Sequence, residues 1–86
     1  MTVEEQIKEF ISKNLIYSNN GFHYDDQDSF LATGIVDSTG IMELVLFTES
    51  KFGITVANSE ITPLNFDSVA KLAAFVRRKL QMVELK

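Results

Sequence analysis

Gly34-Ile-Val-Asp-Ser-Thr-Gly-Ile-Met-Glu-Leu-Val45 sets a helix start in the middle of the chain, with an acid and then a single serine at its mouth. Aspartate is a preferred N-cap, because its carboxylate accepts from backbone N–H groups that have no partner within the helix. At about 100° per residue, Ile41, Leu44, Val45, Thr48 and Phe52 fall on one face. Gly53 can take the left-handed conformation that closes a helix, and Ile54 can fold back on the apolar side. The stretch therefore predicts a helix from Asp37 or Ser38 to Gly53. Its outward side carries Thr39, Met42, Glu43, Leu46 and Phe47.

Upstream, Thr2 with Glu5 three residues later has the form of a capping box, and Val3, Ile7, Phe10, Ile11 and Leu15 recur at helical spacing. A first helix over about 3–14 follows. Residues 18–36 lose that period, and Asn20-Gly21 marks a turn. A connection this long is unusual unless it packs or functions, and Phe22, Tyr24, Phe30, Leu31 and Ile35 predict that it packs. Downstream, Ile54-Thr-Val56 reads as extended, and Thr62-Pro63 places a capping hydroxyl before proline at a first helical position. A one-turn helix over about 63–66 is expected there. Asp67 or Ser68 then caps a last helix with the stripe Val69, Leu72, Ala73, Val76 and Leu80. Arg77, Arg78 and Lys79 are expected at its negative end, and residues 81–86 as a fraying tail.

The sum is an all-α fold, a small four-helix bundle with a long loop between its first two helices and a short third one. Eighty-six residues make one domain, 1–86, with its core over about 3–80. Twelve acids against eight bases give a net charge of -4, which disfavours nucleic acid and anionic lipid and suits basic partner surfaces. Without cysteine there is no disulfide and no thiol nucleophile. No long apolar run or signal core is present, so a soluble monomer of the cytoplasm, off the membrane, is expected.

Other chemistries find little support. A serine hydrolase needs a base beside its nucleophile, and His23 in the long loop is the sole histidine. Asp25, Asp26 and Asp28 lack the glycine and terminal glutamate of a calcium loop and read as a solvated acidic turn. Metal spacing and a glycine-rich phosphate loop are missing from the sequence. Met42 and Leu46, apolar beside an exposed serine, suggest a partner-docking patch, whereas Phe47 either joins them or is covered by the long loop or third helix.

Four blocks together, Asp28-Ser-Phe-Leu31, Gly34-Ile-Val-Asp-Ser38, Lys51-Phe-Gly-Ile54 and Asn65-Phe-Asp-Ser-Val69, resemble the acyl carrier proteins in order and spacing. The resemblance implies that Ser38 carries 4′-phosphopantetheine donated by coenzyme A, and that Asp37 serves a phosphopantetheinyl transferase as well as capping the helix. It implies Glu43 and Glu49 as acidic positions of a partner-recognition helix, together with the exposed Thr39, Met42 and Leu46. Such a protein is not an enzyme. It is a substrate of the transferase, of acyl- or aminoacyl-loading ligases and of downstream synthases. Thr39 and Gly40 replace the usual leucine and frequent acid of the fatty-acid form, and Lys51 falls in a usually acidic region. Glu60-Ile-Thr-Pro-Leu-Asn-Phe-Asp-Ser-Val69 is more similar to freestanding carriers of specialised biosynthesis. A sheltering cleft for a hydrocarbon chain is expected between the second and last helices, at Ile41, Val45, Val69 and Leu72. The competing class is an unmodified helical protein–protein interaction module, which needs only the apolar stripes.

Overall fold

Where the chain turns helical is decided by its caps. The computed structural model describes residues 2–16 and 24–84, with side chains to Gln81. Among these residues every regular element is helical: α1 Val3–Asn14, α2 Phe30–Thr33, α3 Ser38–Phe52, α4 Pro63–Phe66 and α5 Val69–Glu84, with a 3₁₀ turn at Asn58–Glu60. The Thr2 hydroxyl accepts from the Glu5 N–H at 3.1 Å and the Glu5 carboxylate accepts from the Thr2 N–H at 2.9 Å, completing the predicted capping box. Gly53 closes α3 at φ 67°, donating its N–H to the Glu49 carbonyl, as a C-terminal glycine should. Ser68 caps α5 by accepting from the Lys71 N–H at 3.1 Å.

The core gathers Ile7 and Ile11 of α1, Phe30 of α2, Leu44 and Val45 of α3, Phe66 of α4, and Val69, Leu72, Ala73, Phe75 and Val76 of α5, all buried. Each large member contributes about 1.5–3 kcal/mol by leaving water. Helix α5 is the hub, packing against α1, α3 and α4. Thr48 is buried among these side chains, and its hydroxyl donates to the Leu44 carbonyl at 2.6 Å, so no lone polar group is left there.

The second half of the long connection packs as expected, but through fewer side chains. Phe30, Ile35 and Val36 are buried, whereas Tyr24 and Leu31 are exposed. Phe22 and the Asn20-Gly21 turn lie outside the described residues. Polar ties do the rest. Lys8 of α1 pairs with Asp26 at 2.6 Å, and the Asp26 carbonyl accepts from the Ala70 N–H at the start of α5. Asp67 holds the first turn of α2.

Three local expectations need correction. Thr62 makes no capping hydrogen bond through its side chain, so α4 relies on proline at its first position. The basic residues of α5 do not sit at its end, because the helix continues to Glu84. They reach other elements instead: Arg77 forms a bidentate pair with Glu4 of α1, Arg78 donates to Asn65, and Lys79 donates to Glu60. Among the described residues, Phe47 finds its cover in α1 rather than in α4 or the described part of the loop. It stacks on Phe10 of α1 with ring centroids 4.2 Å apart.

Candidate functional site

Ile35 and Val36 are buried, and this anchors the chain as it enters α3. Asp37 follows in extended backbone, φ -96° and ψ -175°, and its carboxylate accepts from the Gly40 N–H at 2.8 Å. Its carbonyl accepts from the Ile41 N–H at 3.0 Å. Capping is therefore done by Asp37, and Ser38 is released from that task. Ser38 is exposed at the first helical position, with no hydrogen-bond partner for its hydroxyl among the described residues. Nor do the N–H groups of Ser38 and Thr39 find an acceptor there.

Gly40 explains one departure from the usual pattern. It is buried, and a Cβ placed on it would meet Val36 Cγ1 at 2.7 Å, well inside contact distance. The missing side chain lets the first turn of α3 settle on the anchored Val36. An acid at this position has no room and no water.

Beside Ser38 lies an open cavity of about 260 Å³ with an almost wholly apolar lining. Leu31 of α2 forms part of its wall, Ile41 and Met42 of α3 another, and Pro63 and Phe66 of α4 a third; Asp67 lines it too. The four residues expected to line a cleft between the second and last helices do not line this space together. Val45, Val69 and Leu72 are buried in the core, and only Ile41 of that set faces the opening. The space lies between α3 and α4 because α4 is a single turn, too short to cover the flank of α3.

The partner-facing candidates separate into two groups. Thr39, Met42, Glu43 and Leu46 are exposed, with Met42 at 50% and Leu46 at 64% of full exposure. Glu49 is partly buried, and its carboxylate accepts from the Val56 N–H at 2.9 Å, which fixes the chain beyond Gly53. Of the two expected acids, Glu43 alone is wholly offered to solvent. Leu31 and Leu64 are exposed too, at 51% and 79%, and of the two Leu31 lines the cavity.

His23 lies outside the described residues. Asp25 and Asp28 form a local turn, in which the Asp28 carboxylate accepts from the Asp25 N–H at 3.0 Å, and Asp26 is paired with Lys8. Among the described residues no group of acids or histidines is placed to hold a metal ion, and no helix is long and apolar enough to cross a membrane. Two positions near the site escaped the sequence. Ser29 and Asp67 meet across 38 residues, a pairing that no local spacing signals. Helix α2 did leave a signature, Ser29 before it and Gly34 in left-handed backbone after it, but four residues are too few to show a period.

The chain matches no protein-family model and no curated protein in sequence. Among solved structures it is similar to the crystal structure of an acyl carrier protein from Thermotoga maritima, with a TM-score of 0.71 at 24% identity, covering 91% of this chain and 86% of that one. The fold is thus that of an acyl carrier protein.

Proposed function

We propose that this chain is a carrier protein of one domain, modified at Ser38 by 4′-phosphopantetheine. The observation that carries the reading is a free, exposed serine hydroxyl at the head of α3, opening onto an apolar cavity within an acyl-carrier fold. The residues fit the group. A phosphodiester on Ser38 Oγ would be held by the unoccupied N–H groups of the first turn and the positive end of α3, a stabilisation of about 0.3–1 kcal/mol at an exposed site.

In the loading step, a phosphopantetheinyl transferase with Mg²⁺ directs the Ser38 oxygen onto the pyrophosphate of coenzyme A. The new Ser38 O–P bond forms as the P–O bond to the nucleotide breaks. The nucleotide bisphosphate departs, and the hydroxyl proton passes to a base of the transferase. Asp37 keeps the first turn wound and holds Ser38 outward, and the bundle gives the linkage a rigid base. When bound, the group supplies a thiol on which an acyl or aminoacyl cargo rides as a thioester. This chain itself performs no catalysis. Met42 and Leu46 offer apolar contact to the transferase, loading ligases and synthases, with Thr39, Glu43 and Glu49 alongside. The cavity between α3 and α4 shelters the cargo's apolar end. We place the protein in the cytoplasm as a monomer, off membranes and nucleic acid.

Intact mass after incubation with coenzyme A and a broad-specificity transferase tests this: one phosphopantetheine on the wild type and none on Ser38→Ala is expected. A wild type left bare by several such transferases points instead to an unmodified interaction module.

A further inference from the structure

The cavity beside Ser38 has one wall that cannot hold itself in place. Helix α2 is four residues long, far below the length at which a helix is stable alone. Leu31, the residue it contributes to the wall, is 51% exposed and so is weakly fixed by burial. Phe30 anchors the depth of α2 in the core, but one buried ring does not set where Leu31 stands relative to α4.

Asp67 supplies the missing constraint. Its Oδ2 accepts from the Ser29 hydroxyl at 2.5 Å, its Oδ1 accepts from the Leu31 N–H at 3.0 Å, and its carbonyl accepts from the Phe30 N–H at 2.8 Å. Its own N–H donates to the Pro63 carbonyl at 3.2 Å, closing α4. A single residue thus ties the wall made by Leu31 to the wall made by Pro63 and Phe66, and it also lines the space between them. We propose that Asp67 is the positioning residue that sets the width of the cavity beside Ser38, and so the size of apolar group the cavity accepts. The part concerning cargo rests on the carrier reading; the part concerning the walls does not.

The test uses the whole chain, first unmodified and then carrying straight acyl chains of graded length delivered to Ser38 from acyl-coenzyme A. In the wild type, Tm should rise with chain length until the cavity is full and then level off. Asp67→Ala should move the NMR signals of residues 29–33 and Met42 in the unmodified protein, and shift the levelling-off to longer chains. Asp67→Asn keeps an acceptor for the Leu31 N–H and offers its amide to Ser29 Oγ, so it should restore both readouts. A purely structural Asp67 lowers Tm at every chain length alike and leaves the levelling-off where it was; that result, or an Asp67→Asn protein that behaves like Asp67→Ala, overturns the proposal. If Asp67→Ala does not fold, Ser29→Ala cuts one of the same bonds and should give a smaller displacement of the same signals, and unmoved signals overturn the proposal equally. A wild type that accepts no acyl-phosphopantetheine defeats the carrier reading while the NMR comparison of unmodified proteins still decides the role of Asp67.

Discussion

Ser29 and Ser38 each stand at the start of a helix, nine residues apart, and the structure uses them in opposite ways. Ser29 is the cap of α2. Its oxygen accepts from the Ala32 N–H at 3.1 Å while its hydrogen goes to Asp67, so it both accepts and donates inside the fold. Ser38 stands one position further into its helix, behind an aspartate that does the capping, and its hydroxyl is left free. A serine at a helix mouth is structural when it is the cap and available for chemistry when an acid has taken that place. The dipeptide Asp37-Ser38 is therefore more informative than either residue alone.

Several substitutions break or sharpen this contrast. The largest loss of stability is expected where α2 is anchored: Phe30→Ala empties a fully buried site and should cost about 3–5 kcal/mol in denaturant unfolding. Ser29→Ala removes a cap and a hydrogen bond to a carboxylate, for a loss of roughly 1–3 kcal/mol, and should still accept phosphopantetheine. Ser38→Ala should leave the unfolding midpoint nearly unchanged, since alanine is a good helix residue and no contact is lost. Equal losses at the two serines would remove the distinction. Asp37→Ala should cost about 1 kcal/mol and slow loading, read as the rate of mass gain. Gly40→Ala gains about 1 kcal/mol in helix propensity but forces Val36 aside at roughly 1–3 kcal/mol, so a net loss near 1 kcal/mol is expected.

The smallest effect is that of pH, and it lies away from the site. The hydrogen bond from Arg77 lowers the Glu4 pKa, and the backbone N–H groups of Ala57 and Thr2 are the first cause of the lowering at Glu60 and Glu5. Carboxyls with depressed folded-state pKa values stabilise the protein above their unfolded pKa, about 4.3, and that contribution is lost as pH falls below it through the folded values. Unfolding midpoints between neutral pH and pH 3 should therefore decline on the acid side. Arg77→Met should make that decline shallower.

What could be read from the chain was whatever local chemistry decides. Thr2 with Glu5, Asp37, Gly53 and Pro63 each act within a few residues of themselves, and the bounds of α1, α3 and α4 follow from them. The exposed position of Ser38 follows in the same way. Features decided by distant partners were not legible. The stacking of Phe47 on Phe10, the reach of Arg77 and Lys79 to Glu4 and Glu60, and the bond between Ser29 and Asp67 all join separate elements. The cavity was misplaced for a related reason. Its position depends on which apolar faces meet in the core, and Val45, Val69 and Leu72 meet there, whereas the one-turn α4 leaves the flank of α3 open. Gly40 looked like a loss of charge, and only the nearness of Val36 shows it as a packing residue.

The central claim is that the oxygen freed by the Asp37 cap, and no other, receives the tether. Tandem mass spectrometry of wild type, Ser29→Ala and Ser38→Ala after incubation with coenzyme A and a phosphopantetheinyl transferase tests it most directly. One adduct on the peptide containing Ser38 is expected in the first two proteins and none in the third. An adduct that persists in Ser38→Ala, or maps to another serine, contradicts it.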